Sequence, residues 1–196
     1  MVYKTEDTMY GYKAVFICKK DKTTNSYQLL RIPECLNVIY AIIKIEIPKG
    51  TTIVDPIEQE NNGDDSGYHK LRCEGAKFVE TVKYCYIHFE EKIDESITND
   101  NILELKLDDI IDTQLIEVSK KKIIAYNKSK DIDYCSIHTF ATHFIDELID
   151  SDILKPNDFM VAYPYLNTND NVACTSGIHF FKTEKEAYNY LLFLNK

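Results

Sequence analysis

Nothing in this 196-residue chain is apolar for long enough to read as a membrane span. Its longest unbroken apolar run, Val38 to Ile43, has six residues, against the ~20 that a bilayer requires. The opening residues Met1 to Asp7 lack the apolar stretch of a secretory signal. Glycine and proline are scarce, at 6 and 5, which excludes collagen-like and low-complexity classes. Positive charge is short too: 23 Lys and Arg against 32 Asp and Glu give a net charge of −9. Such a surface repels phosphate backbones, so nucleic acid is not an expected partner. The densest basic run, Lys120-Lys121-Lys122, lies between Val118 and Ile123 and reads as the rim of a hairpin. These absences predict a protein with no membrane partner that works inside a cell and is not secreted.

What is present is a chain of one-domain length, expected to fold as a single unit over residues 1–196 with a mobile acidic loop near 55–67. The six cysteines (Cys18, Cys35, Cys73, Cys85, Cys135 and Cys174) are spread evenly. In a reducing compartment they are expected to be buried free thiols. The chain carries 21 Lys to 2 Arg, 24 Ile, 13 Asn and only 8 Ala. Lysine, isoleucine and asparagine have A/T-rich codons, so this bias points to an A/T-rich microbe or large DNA virus and not to chemistry.

The first half reads as strands. From Tyr10 to Cys18 both alternating sets are largely apolar, which predicts a strand covered on both faces. Tyr27 to Ile32 reads as its return strand. Val38 to Ile47 begins buried and resolves into Ile43, Ile45 and Ile47 inward, with Lys44 and Glu46 outward. Strand patterns resume at His69 to Cys73 and Ala76 to Phe89, then at Leu103 to Leu107. Leu115 to Val118 is expected to pair with Ile123 to Tyr126. Two helices are predicted. One runs from Ile137 to Ile149, with Ile137, Phe140, Ala141, Phe144, Ile145 and Leu148 at i, i+3, i+4 spacing. The other starts at a Thr183–Glu186 capping box and carries a stripe of Ala187, Tyr190, Leu191 and Leu194. The expected fold class is α+β: a mostly antiparallel sheet packed by two or three helices, the amphipathic C-terminal helix among them.

Four segments carry a resemblance. They are Ala41–Pro48, Leu71–Val79, Leu154–Phe159 and Cys174–Phe181, the last followed by Glu184 and Ala187. Their order resembles a domain of unknown function common in giant DNA viruses, often found beside pentapeptide-repeat arrays. In that family a strand ends in an acidic residue, Ile and Pro, and a Cys-Arg-Cys-like strand follows. A cysteine and Gly-Ile-His-Phe-Phe then precede the last helix. The resemblance covers roughly residues 38–83 and 150–194 and leaves 88–150 outside it. It implies a viral origin, with the host-cell cytoplasm or the virion as location, and supplies no mechanism. Its core in this chain is Cys73, Cys174, Gly177, His179 and Phe180.

Candidate chemistry centres on histidine and cysteine. Gly177 reads as a tight backbone position, Ile178 and Phe180 as core, and His179 as a satisfied structural imidazole. Three Cys–His pairs occur: Cys85 with His88, Cys135 with His138, and Cys174 with His179. Zinc requires four converging N or S ligands, yet on a strand residues i and i+3 point to opposite faces. Cys85 and His88 would converge only at a bulge, and Cys135 and His138 only at a helix start. No metal or other cofactor is therefore expected. A cysteine nucleophile would need a base in reach, and Cys174 is separated from His179 by a turn. His138 and His143 lie about 140° apart on a helix, so they do not line one face. His143 and Glu147 read as a solvated pair.

The segment Gly177 to Phe181, with Glu186 and Ala187 in the next helix, is also similar to the Gly-Ile-Tyr-Phe strand and helix of ADP-ribosyltransferases. That similarity implies stacking of His179 on a nicotinamide ring. It also implies a permuted arrangement with an upstream acid, Glu46 or Glu80. The leading expectation is a non-catalytic protein-interaction or structural module with a protein partner. The alternative is a nucleotide-binding enzyme of this transferase type.

Overall fold

A computed structural model describes residues 1–20, 23, 27–31, 38–57, 67–91, 110–117, 132–137, 153–163, 165–172 and 175–194, with 87–91 and 110–117 described through their backbone. Along the chain run β1 (Val2–Lys4), β2 (Met9–Lys20), β3 (Tyr27–Leu29), β4 (Ile39–Ile47), β5 (Thr52–Val54) and β6 (Leu71–Cys73). There follow β7 (Gly75–Glu91), β8 (Ile110–Glu117), β9 (Asp133–Ser136), β10 (Ile153–Leu154), β11 (Phe159–Val161), β12 (Ile178–Phe180) and α1 (Glu184–Phe193). Every pairing among the described strands is antiparallel. The larger sheet has the order β10-β9-β2-β4-β7-β11, with β3 added to β2 and β8 to β7. The smaller has the order β1-β5-β6-β12.

Strand periodicity assigns the layers. In β4 the odd residues Ile39, Ala41, Ile43, Ile45 and Ile47 are fully buried, and they pack with Ile53, Leu71, Cys73, Ile178 and Phe180 of the smaller sheet. Each buried isoleucine contributes about 1.5–3 kcal/mol from the apolar surface it removes from water. The even residues Tyr40 and Ile42 face the other way, against Phe181, Ala187 and Leu191. Strand β2 divides likewise, with Val15 and Ile17 toward the smaller sheet and Ala14 and Phe16 toward α1. The order of layers is therefore small sheet, large sheet, helix.

This corrects the expected fold class. Among the described residues the protein is mostly β with one short helix, not a sheet packed by two or three helices. The physical reason lies in β2 and β4. Both of their faces are apolar, and the face that seemed to need helical cover is covered by a second sheet. The strands β1, β5, β6 and β12 have three residues each, too few for alternation to announce a sheet. The helix expected over 137–149 lies outside the described residues beyond Ile137. So do His138, His143, Glu147, the strand at Leu103 to Leu107, the Lys120 to Lys122 run, the return strand at 123–126 and most of the 55–67 loop. No described helix is long and apolar enough to cross a membrane.

Helix α1 begins as its sequence specifies. The Thr183 hydroxyl accepts from the Glu186 N–H at 3.2 Å, and the Glu186 carboxylate accepts from the Thr183 N–H at 2.9 Å. Ala187 and Leu191 are buried, Tyr190 is half-buried, and Leu194 at the end of the expected stripe is exposed.

Candidate functional site: the fork between the sheets

The edge of β2 opposite β4 is shared by two neighbours. Val15 to Cys18 pair with β9, whereas Tyr12 exchanges two backbone hydrogen bonds, each 2.8 Å, with Phe181. Just before Phe181, strand β12 turns away to pair with β6, Ile178 opposite Cys73 and His179 opposite Arg72. At Lys13 and Ala14 the large sheet thus forks. A small crevice opens there, lined by Lys13, Ala14, Lys70, Ile137, His179, Phe181 and Tyr190, with enclosed space for about one water molecule.

Two glycines permit the fork. A Cβ on Gly11 would stand 2.5 Å from the Phe180 ring, so only glycine lets β12 cross β2 this closely. Gly177 has φ +149°, and a Cβ there would meet Leu166 at 2.8 Å and Arg72 at 3.1 Å. It turns the chain into β12 at a backbone angle that side-chain-bearing residues avoid.

His179 is 8% exposed, and its backbone carbonyl accepts a hydrogen bond from the Lys13 amine at 3.2 Å. Lys13 is itself buried, and that burial pushes its amine down to about 8, with Lys70 acting in the same direction. Lys70, also buried, places its amine 5.4 Å from the centre of the Tyr190 ring, a cation–π distance. Among the described residues, those lining the crevice carry amines and an imidazole but no carboxylate. The acids that a transferase-like site would borrow lie elsewhere. Glu46 accepts from the Tyr10 hydroxyl at 3.4 Å, and exposed Glu80 is 3.9 Å from the Lys44 amine.

The motif residues come together in part. Cys73 and His179 sit on the paired strands β6 and β12, Phe180 is fully buried between the sheets, and Gly177 leads into β12. Cys174 lies outside the described residues. Burial pushes the Cys73 thiol up to about 12 and the Cys18 thiol higher still, so neither is a thiolate at neutral pH. Cys85 and Cys135 are buried and form no disulfide among the described residues. The ladder from β7 to β8 runs without a register shift from Cys85 to Phe89, so the bulge that would let Cys85 and His88 converge is not there. His138, the partner proposed for Cys135, lies outside the described residues. Among the described residues no group of three His, Cys, Asp or Glu side chains converges.

Two features escaped sequence reasoning. Arg72 is fully buried, and its guanidinium donates to the backbone carbonyls of Val172 and Asn169. It anchors a loop that also turns on its own asparagines: Asn167 accepts from the Asn169 N–H at 2.9 Å, and Asn169 from the Asn171 N–H at 3.0 Å. The alternating Asn167, Asn169 and Asn171 were the available signal, since asparagine side chains stabilise such turns. The second is a row of exposed apolar residues on β11 and just beyond it. Phe159, Val161 and Tyr163 are 57%, 70% and 91% exposed, while Met160 and Ala162 between them are buried. The alternation was legible, but not the strand's place at the edge of the sheet.

No family model, curated protein or solved structure matches this chain.

Proposed function

We propose that this chain is a non-catalytic protein-interaction or structural module of intracellular viral origin, acting in the host-cell cytoplasm or in the virion. Its contact element is the outer edge of β11. The observation that carries this reading is the exposed apolar row on that edge: contiguous exposed apolar surface marks interaction sites, and an open strand edge takes a partner as an added strand. The segment Leu154 to Phe159, part of the resemblance to the giant-virus domain, leads directly into it. The lysine- and isoleucine-rich composition agrees with the same origin. Parallel capture from host cells that also express an untagged copy of the chain, with the wild type and Val161→Lys as baits, tests the reading. Partners held by the wild type and lost with Val161→Lys support it; a capture set indifferent to the substitution refutes it.

The transferase-like reading has one observation in its favour, that His179 and Phe181 both line the crevice. The enclosed space there is far smaller than a nicotinamide ring, and amines stand where the transfer would use a carboxylate. Transfer of label from NAD by the wild-type protein, abolished in His179→Ala, would replace the interaction reading with this one.

A further inference from the structure

The backbone of β11 determines what kind of strand its edge accepts. Ala162 donates its N–H to the Glu74 carbonyl at 2.9 Å, and Asp158 accepts from the Phe78 N–H at 2.9 Å. In an antiparallel ladder these bonded positions alternate, so Met160 also faces β7 while Phe159 and Val161 turn their N–H and C=O groups outward. In the order of the large sheet β11 is terminal, and no described strand lies beyond it. Natural edges are commonly guarded by lysine, proline or a bulge. Phe159 to Tyr163 reads Phe-Met-Val-Ala-Tyr, with no charge and no proline.

We propose that the occupant of this edge is a second copy of the same chain, paired antiparallel to β11 about a two-fold axis at Val161. This inference rests on the interaction reading above and names its partner. An axis through an outward-facing residue makes the edge complementary to itself. Val161 exchanges two backbone hydrogen bonds with Val161 of the second copy, and Phe159 comes opposite Tyr163 of the second copy on both sides of the axis. Cross-strand aromatic pairs of this kind are favourable, and such an interface uses the same patch on both copies. The uncharged stretch lets two copies approach without setting like charges in register, while the −9 that each copy carries weakens their association.

The area sets the strength. Complete burial of these three side chains would remove roughly 400 Å² per copy from water, on the scale of about 150–250 Å² for a buried aromatic, and edge pairing, which leaves their outward faces open, removes less. Even the full total of about 800 Å² falls below the ~1,200–2,000 Å² of stable complexes. The dimer is therefore reversible, with a dissociation constant in the micromolar range or weaker.

Sedimentation of the full chain from low to several hundred micromolar tests this. The expected result is a mass rising reversibly toward two copies. Val161→Lys, at a site exposed enough to leave folding intact by circular dichroism, weakens association at least tenfold. Val161→Cys with a short bis-maleimide gives a covalent dimer, whereas the wild type and Ile57→Cys, also on an exposed residue, do not. A monomer at every concentration, or a dimer unaffected by Val161→Lys, overturns the inference. A monomer that still captures another protein through Val161 overturns it while leaving the interaction reading standing. A monomer without Val161-dependent capture removes both.

Discussion

Lys13 offers the sharpest test of the fork, because its burial has a sign as well as a size. Replacing it by methionine keeps most of the length of the side chain and removes the charge. Burial lowers the Lys13 amine from 10.5 to about 8. At about 1.4 kcal/mol per pH unit, holding the proton in the folded state costs about 3 kcal/mol at and below neutral pH. The hydrogen bond to the His179 carbonyl returns about 1 kcal/mol. Lys13→Met is therefore expected to be about 2 kcal/mol more stable than the wild type at pH 7. Between pH 8 and 10.5 the unfolded chain keeps a proton on Lys13 that the folded chain has released, so this residue makes stability rise with pH. About 1 kcal/mol of that rise falls between pH 8 and 9. Buried Cys73, with its thiol pushed up to about 12, acts oppositely above about pH 9, and more strongly in Lys13→Met, which lacks the amine that lowers it. Urea unfolding of the two proteins at pH 7, 8 and 9 measures the difference directly. A Lys13→Met protein that is less stable at pH 7, with its margin against the wild type unchanged from pH 8 to 9, would refute a buried amine that keeps its proton at neutral pH against the cost of burial.

Gly177→Ala is expected to cost about 2–3 kcal/mol, the sum of a strained backbone angle and a clash with Leu166 and Arg72, read as a lower thermal midpoint. Arg72→Leu keeps bulk but releases the loop at 165–172; the expected result is accelerated proteolytic cleavage within that loop and a loss of about 3 kcal/mol, as for breaking a buried charge-assisted network. Thr183→Ala removes half of the capping box and should lower stability by about 1 kcal/mol in chemical unfolding. Glu186→Gln, which retains an acceptor for the Thr183 N–H, should cost less.

The legible parts of this protein were those written in short-range pattern. The inward Ile43, Ile45 and Ile47 with Lys44 and Glu46 opposite follow from period two. The start of α1 follows from the two residues that cap it. The burial of His179 was anticipated from its aromatic flanks, but not the lysine that binds its carbonyl, because Lys13 is 166 residues away. The helical cover expected for the sheet was misjudged for a related reason: three-residue strands carry almost no periodic signal, and four of them together cover a face that local pattern assigned to helices. Arg72 was likewise read only as part of a motif, because its partners Asn169 and Val172 lie about a hundred residues further on.

By itself, then, the chain's order of residues determined which segments extend, where the last helix begins and which side of each long strand turns inward, since all of these depend on neighbours within a few positions. The tertiary structure alone decided that the strands divide into two sheets, that they part at Lys13, and that Phe159, Val161 and Tyr163 stand at the terminal strand of the described sheet. Those outcomes depend on which distant strand wins each backbone hydrogen bond, and that competition is settled by the packing of the whole core.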